Sequence, residues 1–161
     1  MKNISDLIEG YLKRIIELEG EGYIVIKRSE LADKFQCVPS QINYVINTRF
    51  TAERGYLVES KRGGGGYIRI VRVKANSKID LIESMLNQIK NGATQTMAED
   101  IIYRLTEEDV ITKREARLML AALDRNTLQI QLPTRDELRS VILKAMLSVL
   151  KYEKNKRGGG S

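Results

Sequence analysis

The chain has 161 residues, with 27 Lys and Arg against 21 Asp and Glu, one cysteine, and no histidine or tryptophan. An apolar fraction of 42% supports a core, and the length suits one domain or two small ones. The absence of histidine excludes Ser-His-Asp and Cys-His catalysis and any imidazole metal ligand, and one cysteine builds neither an intramolecular disulfide nor a thiolate zinc site.

Neither a cofactor nor a metal is expected, and Cys37 is read as a small buried hydrophobe. The start, Met1-Lys2-Asn3-Ile4-Ser5-Asp6, lacks the apolar segment of a secretory signal. The longest apolar run, Leu118 to Leu123, falls far short of the ~20 residues of a membrane helix. A cytoplasmic chain is expected.

The elements follow in order. Ile4, Leu7, Ile8, Tyr11, Leu12, Ile15 and Ile16 recur at helical spacing, with Asn3 or Ser5 as cap and Gly20 and Gly22 as terminators. Tyr23 to Ile26 reads as a short strand. Ser29 suits the cap of a helix over Glu30 to Phe35, Gln36 to Val38 the turn, and Pro39 the first turn of a helix reaching about Arg49. Ile42, Val45 and Ile46 form the inner face of that helix. Ser40, Tyr44 and Asn47 lie opposite, with Gln41, Asn43 and Thr48 on the shoulders. Tyr56 to Lys61 and Tyr67 to Lys74 read as an antiparallel hairpin with Arg62 to Gly66 at its tip.

Beyond Asn76 the pattern turns helical. Caps at Ser77, Thr96, Thr112 and Thr134, each with an acid three residues on, predict helices near 78–91, 97–108, 113–124 and 134–152. Leu128 to Leu132 alternates briefly, as an extended connector would. Apolar residues cover far more than one face of the last helix, which points to packing on its own domain and on a second copy. The expected domains are 1–75, 76–152 and a flexible tail over 153–161. The fold class is α+β: a winged helix-turn-helix with a two-stranded wing, followed by an all-α dimerisation domain.

Charge follows the same division. Residues 23–75 hold ten bases and four acids, and the rest of the chain is neutral. A basic block beside balanced flanks suits a polyanion-binding module. The major groove admits one α-helix, and amides and hydroxyls such as those of Ser40, Gln41, Asn43, Asn47 and Thr48 can bond base edges. Tyr44 can stack or reach a phosphate, Tyr67 is the other tyrosine placed to stack, and Arg28 and Arg49 suit phosphates. Lys61 and Arg62 lead into Gly63, Gly64, Gly65 and Gly66, a tip slim enough for the minor groove, about 6 Å wide. Phosphate-loop and dinucleotide fingerprints fail, since no Gly-Lys-Ser/Thr follows and Ile68 stands where a glycine would be needed.

Two long stretches carry a family likeness: Phe35-Gln36-Cys37-Val38-Pro39-Ser40-Gln41-Ile42-Asn43-Tyr44-Val45-Ile46-Asn47-Thr48-Arg49-Phe50, and Glu59-Ser60-Lys61-Arg62-Gly63-Gly64-Gly65-Gly66-Tyr67-Ile68-Arg69-Ile70. The chain closely resembles the class three stress-gene repressors (CtsR) of Gram-positive bacteria up to about Tyr152. The resemblance implies a dimeric repressor of protease and chaperone genes that binds tandem A-rich repeats and leaves them on heat shock. It implies a major-groove reader over Ser40 to Thr48 and a temperature-sensing minor-groove wing over Arg62 to Gly66. It further implies a protein arginine kinase acting on arginines including Arg62, and delivery to a Clp protease. Two other function classes compete. Carboxylates such as Glu99, Asp100 and Glu107 to Asp109 sit at helix ends without a cleft, so an enzyme is not expected. A winged-helix module for RNA or for protein alone is the remaining alternative.

Overall fold

The computed structural model describes residues 3–18, 22–61 and 66–153. The chain divides into two compact units, 1–74 and 75–161. The first contains α1 (Ile4–Leu18), β1 (Tyr23–Lys27), α2 (Arg28–Phe35), α3 (Pro39–Arg49), β2 (Tyr56–Lys61) and β3 (Tyr67–Arg72). α1 opens on a reciprocal cap. Asn3 Oδ1 accepts from the Asp6 N–H at 2.9 Å, and Asp6 Oδ2 accepts from the Asn3 N–H at 3.4 Å. Ile8, Leu12 and Ile16 are its buried stripe. Gly20, expected among the terminators, lies outside the described residues; Gly22 has φ +78°, which glycine adopts without strain.

β1 runs directly into α2. The cap expected at Ser29 is corrected: Lys27 is the N-cap, it carries no side-chain cap bond, and Ser29 lies inside the first turn. Antiparallel pairing of Lys27 with Tyr67 holds Lys27 extended, so the helix begins one residue later. The sheet has the order β1-β3-β2, all antiparallel, with Tyr23 opposite Val71 and Tyr56 opposite Arg72. The central strand turns Ile68 and Ile70 inward onto Ile8, Leu12, Ile42 and Val45, the heart of the core. Cys37 is only half-buried at the edge of this core, because it sits in the turn between α2 and α3.

The second unit contains α4 (Lys78–Gln88), α5 (Gln95–Glu107), α6 (Lys113–Leu123) and α7 (Thr134–Tyr152). Ser77 caps α4 by accepting from the Asp80 N–H, and Thr112 with Glu115 forms a complete capping box on α6. Two expected caps shift. α5 starts a residue before Thr96, with Thr94 Oγ1 accepting from the Met97 N–H at 3.1 Å. Thr134 is the first helical residue of α7, behind Pro133 and without a side-chain cap. The expected connector at 128–132 forms no strand; Leu128 N–H closes a turn on Asp124 O, and its side chain is buried.

Leu143, Leu147 and Leu150 of α7 pack with Leu81, Ile82, Met85, Ile101, Ile102 and Leu105. Arg139 joins them, 1% exposed. Its Nε donates to Leu123 O at 2.8 Å, and its Nη1 donates to Ala93 O at 3.0 Å and Asp136 Oδ1 at 2.6 Å. One side chain thereby ties the end of α6 and the approach to α5 onto α7.

Candidate nucleic-acid interface

α3 forms because Pro39 opens it where a missing N–H costs nothing, and because Ile42, Val45 and Ile46 recur on one buried side. The turn before it closes on Gln36, whose φ is 52°, with the Cys37 N–H donating to Ala32 O at 2.9 Å. The opposite side of α3 exposes Ser40, Asn43, Tyr44, Asn47 and Thr48. These sit where the sequence pattern puts an outward face, and each carries a hydrogen-bonding group. Thr48 Oγ1 also donates to the Tyr44 carbonyl at 2.7 Å.

Three expected contacts fall differently. Gln41 turns inward, its Nε2 donating to the buried Ser5 Oγ at 2.7 Å. That shoulder of α3 is therefore a clasp on α1. Arg49, expected to meet a phosphate, is bound by carboxylates: its Nη1 lies 2.9 Å from Asp6 Oδ1 and 2.5 Å from Glu9 Oε1. The cause is the packing of α3 on α1, which brings two acids of the first turns of α1 against the last turn of α3. The hydrogen bonds that Arg49 donates to Asp6 and then Glu9 raise its pKa above the ordinary value. Burial raises the Glu9 pKa, but hydrogen bonds from Lys13 and Arg49 outweigh it and hold the carboxyl below its usual range.

Arg28 is the third. Its Nε donates to Asn43 Oδ1 at 2.6 Å and its Nη2 to Ser60 Oγ at 3.1 Å. Ser60 joins this cluster, although the sequence pattern did not single it out. The signal was available in strand alternation, which puts Ser60 on the same side of β2 as the buried Tyr56 and the half-buried Val58, toward the helices.

The wing stem pairs as far as Lys61 opposite Tyr67. Lys61 is exposed, Tyr67 is half-buried, and Gly66 has φ +63° at the start of the returning strand. Arg62, Gly63, Gly64 and Gly65, the tip proper, lie outside the described residues. Two arginines of β3 are held within the sheet. Arg69 pairs with Glu59 across the strands at 3.0 Å and lies over the Tyr23 ring, and Arg72 lies over Tyr56. Among the described residues, no group of three His, Cys, Asp or Glu side chains is placed to hold a metal ion, and no helix is long and apolar enough to cross a membrane.

A helix-turn-helix backed by a three-stranded antiparallel sheet, with a helical second unit, is the architecture of winged-helix transcriptional regulators. Comparison with known proteins narrows the class. The family model "CtsR N-terminal HTH domain" matches residues 3–74, and "CtsR C-terminal dimerization domain" matches residues 77–148. The chain belongs to the CtsR family. The Transcriptional regulator CtsR of Bacillus subtilis is 60% identical over 151 residues, covering 94% of this chain and 98% of that protein. Its Geobacillus stearothermophilus counterpart is 60% identical over 153 residues, covering 95% of this chain and all of that one. A crystal structure of CtsR in complex with a 26-base-pair DNA duplex matches with a TM-score of 0.85 at 60% identity, covering 94% of this chain and 100% of that one. The expectation of a regulator and not an enzyme holds.

Proposed function

We propose that the chain is a homodimeric, cytoplasmic repressor of heat-shock protease and chaperone genes that binds A-rich tandem-repeat operator DNA. In this reading residues 1–75 bind DNA and 76–152 dimerise; the tail expected over 153–161 lies, beyond Glu153, outside the described residues. Ser40, Asn43, Tyr44, Asn47 and Thr48 read the major groove, while Lys61, Arg62 and the glycines to Gly66 enter the minor groove beside Tyr67. The observation that carries it is the outward face of α3: five exposed hydrogen-bonding side chains on the second helix of a helix-turn-helix, the one such motifs lay in the major groove. The duplex bound by the similar CtsR crystal structure supports the same partner.

Release follows from the wing. A phosphate on Arg62 replaces a cation with a group of net negative charge, which the minor groove repels. Four consecutive glycines lose much entropy on docking, a cost that grows with temperature. Gly64→Pro, which removes part of that cost, is expected to raise the temperature at which the folded protein leaves its operator. The protein arginine kinase and the Clp protease machinery enter through the family resemblance.

The test is protection footprinting of promoter duplexes with wild type and Arg62→Ala. Arg62→Ala is expected to lose at least about tenfold in specific affinity while the dimer persists. Unchanged affinity for the A-rich operator overturns the minor-groove role.

A further inference from the structure

We propose that Arg28 is a positioning residue that sets the orientation of the Asn43 amide toward DNA and couples this reader to the wing. The proposal rests on the DNA-reading function above. An arginine side chain only donates, so the Asn43 atom 2.6 Å from Arg28 Nε is its amide oxygen. The amide is thereby turned by chemistry, with its NH2 on the far side. An unconstrained asparagine bonds adenine through both ends of its amide. With its oxygen held by Arg28, Asn43 leads with its donor, which suits an acceptor in the major groove such as a purine N7, guanine O6 or thymine O4.

The same guanidinium reaches the wing. Nη2 donates to Ser60 Oγ at 3.1 Å, two residues before Arg62 in the chain. One planar fork thus spans the start of α2, the middle of α3 and the distal half of β2. A displacement of the wing stem is transmitted to the amide of a base reader through two hydrogen bonds.

The location of Arg28 supports a role outside its own helix. It is the first residue of α2, where the helix dipole disfavours a cation; Glu30 in the same turn eases this, but α2 has no side-chain cap. The hydrogen-bond partners of Arg28 lie on α3 and β2, not on α2. A plain phosphate contact needs only charge, which lysine also supplies. Holding Asn43 and Ser60 together needs the planar fork, which lysine lacks.

The experiment measures binding of the full-length protein to the operator that wild type protects and to a panel of duplexes changed one base pair at a time, across a range of salt. Arg28→Lys is expected to keep the wild-type salt slope while losing about tenfold of discrimination at one base pair, the pair at which Asn43→Ala also loses it. Ser60→Ala should lose part of the same discrimination, and Arg28→Lys should add nothing in the Asn43→Ala background. Arg28→Lys with wild-type discrimination overturns the proposal. So does Arg28→Gln lowering the salt slope by about one with base preferences unchanged, since that is the mark of a phosphate contact alone. A wild type indifferent to every base pair beneath α3 overturns the DNA-reading function itself, a result distinguishable from failure at Arg28. Arg28 is half-buried, and Asn43 and Ser60 are exposed, so the variants keep the core intact.

Discussion

The outward faces of α3 and α7 share one geometry and carry opposite chemistry. From Ser40 on, α3 exposes Ser40, Asn43, Tyr44, Asn47 and Thr48. From Leu138 on, α7 exposes Leu138, Val141, Ala145, Val149 and Tyr152, interrupted only by Ser148. Those five follow steps of three and four and so form one apolar stripe along the helix. The first face suits base edges and phosphates, and the second suits another apolar surface, consistent with the match of residues 77–148 to a dimerization domain. A second contrast lies between two arginines. Arg49 meets side-chain carboxylates near the surface, whereas Arg139 is buried on two backbone carbonyls and Asp136. A cation count alone does not separate partner-binding charge from structural charge.

Removing Arg139 tests the second contrast and has the largest expected effect. Arg139→Ala strands two carbonyls and opens a cavity, and is expected to cost the second unit about 4 kcal/mol. Urea unfolding with hydrogen exchange resolved by segment checks it: protection should fall across α5, α6 and α7 and stay unchanged in α3. Next comes the apolar stripe. Val141→Arg combined with Val149→Arg places charge on it, and is expected to raise the dimer dissociation constant about a hundredfold with the fold intact. Sedimentation equilibrium reads this directly, and an unchanged dimer would move the interface off α7.

Features with local causes were legible in the sequence. The Ile42, Val45 and Ile46 period placed α3, and Thr112 with Glu115 placed the start of α6, because each pattern closes within one turn. The glycine run between two β-prone stretches placed the hairpin for the same reason, whereas its register, Lys61 opposite Tyr67, comes from the structure. The carboxylate partners of Arg49, Asp6 and Glu9, were not legible because they lie about forty residues earlier in the chain. The burial of Arg139 leaves no local trace, because its main partners are backbone carbonyls, which every residue carries and no sequence distinguishes. Alternation groups Ser60 with Tyr56 and Val58 on one side of β2, but its partner Arg28 lies 32 residues earlier and is not legible in the pattern. Thr96 has the acid three residues on that a capping box needs, but packing set the cap at Thr94, where Gln95 reaches Asp124 Oδ2 at 3.1 Å and accepts from the Arg125 N–H at 3.0 Å.

Arg49 gives a smaller effect that separates structural charge from DNA-facing charge within the first unit. Arg49→Ala is expected to destabilise the docking of α1 on α3 by about 2 kcal/mol and to leave the salt slope of operator binding nearly unchanged. Hydrogen exchange in α1 and a salt titration check the two halves. A slope reduced by about one with stable α1 protection would restore a phosphate role.

The smallest effect is a pH dependence at the same contact. The Glu9 pKa is lowered in the folded chain, with the hydrogen bonds of Lys13 and Arg49 prevailing over burial. A carboxyl of this kind stabilises the fold above its unfolded-state value, about 4.3, and that contribution disappears as pH falls through the lower folded-state value. Glu9→Gln removes the charge at every pH. Wild type is therefore expected to exceed Glu9→Gln by about 1 kcal/mol in α1 protection at neutral pH. The gap should close on acidification below the ordinary glutamate range. A gap that persists in strong acid would assign the difference to packing of the Glu9 side chain, and equal protection at neutral pH would remove the ion pair from the stability of this unit altogether.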